Sequence, residues 1–177
     1  MKNTIFIILF LWLAHNDQAQ HCSHSHSVIP EKSTTISASD TFDILHTELY
    51  LDFTNFSANE LDAHAEINAV ALLSGVTSVT FDLLGLNVDS VFINNSAVRY
   101  TQSGERLIIN LPTPSTSGDT LLMEIHYRGT PTVDNSGWGG FYFSGGIAYN
   151  LGVGFEADPH SYGRTWHPCF DNFVERS

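Results

Sequence analysis

The chain has 177 residues, with 7 Lys+Arg against 19 Asp+Glu and a formal net charge of −12. A field of that sign repels phosphate backbones and anionic lipid, which argues against nucleic acid as a partner. Aromatic residues at 12% beside only 15% charged residues exclude a wholly disordered chain, and the length suits one domain with a tail.

The N-terminus reads as an address. Lys2 precedes an apolar run from Ile5 to Ala14 that is too short to cross a bilayer as a helix, and small or polar residues lead on to Ala19-Gln20. This is the pattern of a secretory signal peptide over residues 1–20, so a secreted, periplasmic or cell-envelope location is expected, with no membrane contact after cleavage. His21 stands where a lipidated Cys22 would need a small neighbour, which sets the lipoprotein reading aside. Residues 21–39 are rich in Ser, Thr and His and too poor in apolar groups to order themselves, so they are read as a disordered linker. His21, His24 and His26 would hold a transition metal only adventitiously, without a rigid second shell. Cys22 and Cys169 are expected as two independent free thiols, although an oxidising compartment permits a bridge.

From Asp40 the hydrophobic period becomes two. Leu49, Leu51 and Phe53 alternate with polar neighbours, and Ala63, Ala65, Ile67, Ala69 and Ala71 form the next such series. Val79, Phe81 and Leu83, then Val88, Val91 and Ile93, continue the pattern across Gly85 and Asn94-Asn95-Ser96. Leu107, Ile109 and Leu111 run to the Pro112–Asp119 breaker, and Leu121, Met123, Ile125 and Tyr127 follow it. Phe141-Tyr142-Phe143 and Ile147-Ala148-Tyr149 predict an aromatic hairpin turning at Ser144-Gly145-Gly146. Short strands at this spacing, with no strong helix, predict an all-β antiparallel sandwich.

Several chemistries lack their motifs. There is no His-Glu-x-x-His, no Cys-x-x-Cys, no glycine-rich phosphate loop with a lysine and no Gly-x-Ser-x-Gly elbow, so no catalytic or metal residues are assigned in this chain. His46, His64 and His126 stand singly on strands and read as surface residues. From Gly152 to Asp171 the alternation stops, and Glu156, Asp158, Arg164 and Asp171 fall among Phe155, Tyr162, Trp166 and Phe170. Charged side chains are rarely buried unpaired. Two readings stay open on residue types alone: a covering loop closed by an Arg164–Asp171 ion pair, or a shaped site.

Phe42-Asp43-Ile44-Leu45-His46-Thr47-Glu48-Leu49, Phe81-Asp82-Leu83, Ile125-His126-Tyr127-Arg128-Gly129, Phe155-Glu156-Ala157-Asp158 and Arg164-Thr165-Trp166-His167-Pro168-Cys169-Phe170-Asp171 occur in that order. Over residues 40–177 this series resembles the N-terminal domain of the aminopeptidase N family of zinc metallopeptidases. The resemblance implies a saddle-like β-sandwich that rests against a catalytic metallopeptidase domain, missing here or supplied in trans. Zinc and its ligands belong to that domain, so the chain is expected to be inactive alone and to carry no cofactor of its own. By matched position, Glu156 would bind the free α-amino group of peptide N-termini and Phe155 would help wall the first side-chain pocket. Arg164, Pro168, Cys169 and Asp171 would be scaffold. Gly154 departs from the Gln common two residues before the anchor, and His167 from a position commonly aromatic.

A binding module is the alternative. Trp138, Phe141, Tyr142, Phe143 and Trp166 would offer stacking platforms for a carbohydrate or surface ligand, with Asp134 and Asp158 as calcium ligands.

Overall fold

The computed structural model describes residues 38–158 and 160–172. The segment read as a signal peptide, the three histidines read as linker and Cys22 lie outside the described residues. The described residues begin in a 3-10 turn at Ala38–Asp40, closed by the Thr41 hydroxyl donating to the Ala38 carbonyl at 2.7 Å. Ala38 packs on the core.

Ten strands follow among the described residues: β1 Phe42–Asp52, β2 Leu61–Ala71, β3 Ser78–Asp82, β4 Asn87–Ile93, β5 Ser96–Ala97, β6 Tyr100–Ser103, β7 Arg106–Asn110, β8 Thr120–Gly129, β9 Phe141–Ser144 and β10 Ile147–Asn150. They form a five-stranded sheet in the order β1-β2-β8-β4-β5, a three-stranded sheet in the order β3-β7-β6, and the β9–β10 hairpin. Every pairing is antiparallel, as the period-two pattern predicts.

The strand β2 shows why these residues choose this arrangement. Its odd-numbered residues from Leu61 to Ala71 are buried, and its even-numbered ones are not. Four of the six inward residues are alanines, and the larger groups come from the neighbours: Ala63 faces Leu51 and Tyr127, Ala65 faces Leu49 and Ile125, and Ala69 faces Ile44 and Leu121. Small residues on the middle strand leave room for large ones on both sides. Val79, Phe81, Leu107 and Ile109 of the smaller sheet bury against the same core. Each such side chain contributes roughly 1.5–3 kcal/mol by leaving water. Phe53, which follows β1, stacks on Phe141 at 5.6 Å and so ties the hairpin to the larger sheet.

Candidate functional site

The chain from Thr130 to Asp171 lies beyond the last strand of the two main sheets, and two loops in it are laced together by backbone. Gly140 N–H donates to the Val153 carbonyl at 3.1 Å, and Leu151 N–H donates back to Gly140 at 3.1 Å. Asp134 sits at the junction and is only 4% exposed. Its Oδ1 accepts from Ser136 N–H at 2.8 Å, and its Oδ2 accepts from Glu156 N–H at 2.9 Å. The two oxygens of one carboxylate therefore fix both loops.

This arrangement decides where Glu156 points. Its backbone N–H is held, while its side chain is exposed and makes no hydrogen bond or ion pair with the described residues. Phe155 beside it is 64% exposed. The glycine at 154 also has a cause: a Cβ there would lie 2.8 Å from Ala157 Cβ, 3.0 Å from the Tyr162 ring and 3.1 Å from Asp134 Oδ2. No side chain fits at 154, whatever residue relatives carry there.

The Arg164–Asp171 pair expected of a covering loop is present, and it does not involve Glu156. Arg164 Nη1 donates to Asp171 Oδ2 at 2.6 Å and to the Ser161 carbonyl at 3.0 Å, with both charged side chains 6% exposed. Arg164 Nε lies 3.1 Å from Glu105 Oε2. The same segment extends the smaller sheet: Asp82 N–H donates to the Cys169 carbonyl at 2.8 Å, and Cys169 N–H returns a bond at 3.2 Å. Phe170 then stacks on Phe81 at 5.1 Å. The ion pair of the covering-loop reading is thus present in one part of the Gly152–Asp171 segment. Arg164, Cys169 and Asp171 are structural, and Glu156 is displayed.

Against the base of this segment lies a cleft of about 610 Å³, lined on one side by Ile44, Leu45 and Leu49 and on the other by Trp166, His167 and Cys169. Burial pushes the Cys169 thiol well above its ordinary pKa and the His167 imidazole below its own. The thiol is therefore not primed as a nucleophile, which needs a lowered pKa. Cys169 is a free cysteine.

Of the aromatic residues offered as binding platforms, Phe141 is buried and packs on Phe53 and Trp166, and Phe143 packs edge-on against Phe53 and Phe56. Trp138 alone of the five is largely exposed, at 68%. Asp134 is occupied by backbone donors rather than turned toward solvent for calcium. Its role was hidden in the sequence because its partner, Glu156, lies 22 residues away. The hint was local: an Asp followed two residues on by Ser is the pattern of a side chain bonding its own turn.

Asp134 also sets a pH dependence. The Ser136 hydrogen bond, followed by the backbone N–H groups of Glu156, Ser136 and Ala157, outweighs burial and holds its carboxyl below the usual carboxylate range. A depressed folded pKa stabilises above the unfolded value of about 3.9 and is lost as pH falls through the folded value. The protection of the Glu156 amide, its exchange taken against the intrinsic rate at each pH, should therefore hold at neutral pH and fall only below about pH 4. Asp134→Asn should remove that acid step, and an unchanged step in the variant would contradict the assignment.

Neither a family model nor a curated protein matches the sequence. Solved structures do match the fold. An M1 zinc metallopeptidase from Deinococcus radiodurans, bound to a Tyr-Ser-Ala substrate, aligns with a TM-score of 0.64 at 24% identity, over 77% of this chain and 33% of that one. The native LTA4 hydrolase from yeast aligns with a TM-score of 0.56 at 25% identity, over 77% of this chain and 22% of that one. A further structure of leukotriene A4 hydrolase from Saccharomyces cerevisiae covers 84% of this chain and 25% of its own, with a TM-score of 0.57. The chain thus spans a third or less of the length of each. Its all-β body therefore has the fold of a domain of the M1 zinc metallopeptidases, the family that the motifs of residues 40–177 resemble.

Proposed function

We propose that this chain is the substrate-side domain of a secreted zinc metallo-aminopeptidase, and that the Phe155–Glu156 loop receives the free N-terminus of a peptide. The observation that carries this reading is the state of Glu156: a carboxylate displayed without a partner among the described residues, on a backbone fixed by buried Asp134. A peptide ammonium meeting it forms charge-assisted hydrogen bonds, whereas an acylated N-terminus leaves the carboxylate unpaired. Such a site counts from the chain end. Phe155 walls the first side-chain pocket together with the catalytic domain.

The residues present do not fit the family's zinc. The chain has no His-Glu-x-x-His, the motif that supplies zinc ligands in the family's catalytic domain. In the catalytic domain, zinc polarises the scissile carbonyl and its bound water. The part of this chain is to bind and orient, so it is inactive alone. The apolar side chains of Trp138, Ile147, Val153 and Phe155, each at least 40% exposed, form the surface that the catalytic domain covers.

The test is a nuclear magnetic resonance titration with a tripeptide amide, free or acetylated at its N-terminus. The free peptide should shift the Glu156 and Phe155 amides and the acetylated one should not, and Glu156→Gln should weaken the response at least about tenfold. Equal responses to the two peptides would remove the anchor.

A further inference from the structure

The outward face of the five-stranded sheet carries a second constellation, unrelated to the Glu156 loop. Register places His64 of β2 directly opposite His126 of β8, with Tyr50 of β1 next to His64. One pleat further along, Glu66 stands opposite Glu124, with Glu48 beyond Glu66. The three strands thus present a row of Tyr50, His64 and His126 above a row of three glutamates. The histidines, read singly from sequence, are a pair.

Three observations bear on what this grid does. Carboxylates directly opposite one another on adjacent strands repel, and Glu48, Glu66 and Glu124 do so across three strands. Arg128, the one Lys or Arg on this face of β2 and β8, is engaged with Asp89, its Nε donating to Oδ2 at 2.7 Å. The imidazoles are bracketed: Tyr50 stacks on His64 at 4.2 Å, the His64 and His126 rings lie 5.1 Å apart, and Phe92 meets His126 edge-on at 6.0 Å. Both Nε2 atoms face the glutamate row, His126 at 2.7 Å from Glu124 Oε1 and His64 at 3.9 Å from Glu66 Oε1.

Those two separations lie on either side of the ~3.3 Å donor spacing that a tetrahedron with metal bonds of 2.0–2.1 Å requires. We propose that this face holds a divalent transition-metal ion of the zinc class, ligated by His64, His126, Glu66 and Glu124. Two neutral imidazoles with two carboxylates form a donor set suited to such an ion, and its charge offsets the repulsion along the glutamate row. Among the described residues no three donors already close on one point. Rotation of the half-exposed Glu66 and His64 side chains completes the set, while the aromatic neighbours limit how far the rings turn.

Zinc chloride titrated calorimetrically into the full chain carrying His21→Ala, His24→Ala and His26→Ala should show one saturable equivalent. Adding His64→Ala or His126→Ala should weaken binding by at least about tenfold. In the same triple-substituted chain, zinc should shift the imidazole resonances of His64 and His126 and leave that of His46 in place, a readout that needs no sheet variant to fold. Binding unaffected by both sheet substitutions, no saturable binding once the leader histidines are gone, or shifts confined to His46 would each overturn the proposal.

Discussion

Asp171→Ala is expected to cost about 3–5 kcal/mol, because it leaves a buried guanidinium without its counter-charge. Arg164 is 5% exposed and its closest acceptor is Asp171 Oδ2 at 2.6 Å. What remains after the substitution is one neutral carbonyl, that of Ser161, the Tyr162 ring 5.1 Å from the guanidinium carbon, and Glu105, whose side chain is 52% exposed. None repays the desolvation of the charge. By the same logic Glu105→Gln should cost less than about 1 kcal/mol, as exposed pairs do. The double replacement Arg164→Met with Asp171→Leu should recover most of the loss, since apolar groups of similar volume often replace a buried pair without penalty. Urea denaturation midpoints for the four proteins decide the matter. A cost for Asp171→Ala as small as that for Glu105→Gln would mean the pair is ornamental.

Gly139→Ala should be the most damaging change to the displayed loop. A Cβ at this position would lie 2.1 Å from the Val153 carbonyl oxygen, 2.8 Å from Gly154 Cα and 2.9 Å from Asp134 Cβ. Two of those atoms are backbone and the third belongs to the carboxylate that holds Glu156, so no flexible side chain can yield. The two loops must move apart. Overpacking of this kind costs roughly 1–3 kcal/mol. It should also accelerate exchange of the Gly140 and Glu156 amides, whose acceptors are Val153 and Asp134. Gly145→Ala is the comparison: φ is +61° there and the space is open, so it strains the hairpin turn by about 1–2 kcal/mol while leaving the Glu156 amide protected. Equal exchange at Glu156 in the two variants would show that the contact with Val153 is not what positions the loop.

Much of this architecture was readable from residue order, for reasons that are local. The alternation from Leu61 to Ala71 maps onto burial residue by residue, because a strand with one covered face has only one phase that hides its apolar set. The hairpin turn was legible because Gly145 and Gly146 adopt positive φ that other residues avoid. The Arg164–Asp171 pair followed from the rule that buried charges need partners. What stayed hidden depends on contacts between distant segments. β8 lies between β2 and β4, although some 26 residues and three strands separate it from β4 in sequence, and only that order brings His126 to His64. Asp134 looked like a solvent-facing acid because nothing near it in sequence announces that residues 156 and 157 will close over it. The exposure of Glu156 itself was an expectation carried by resemblance rather than by pattern.

The strand β1 is the border of the larger sheet, with no strand beyond it among the described residues. It is eleven residues long, steps out of register between Ile44 and His46, and carries Asp43, Glu48 and Asp52 exposed along it. A border of that length would template cross-β growth if it were flat and neutral. Here colloidal persistence is bought with like charge, so screening or neutralising those acids, rather than melting the body, is the short route from dispersed protein to fibril.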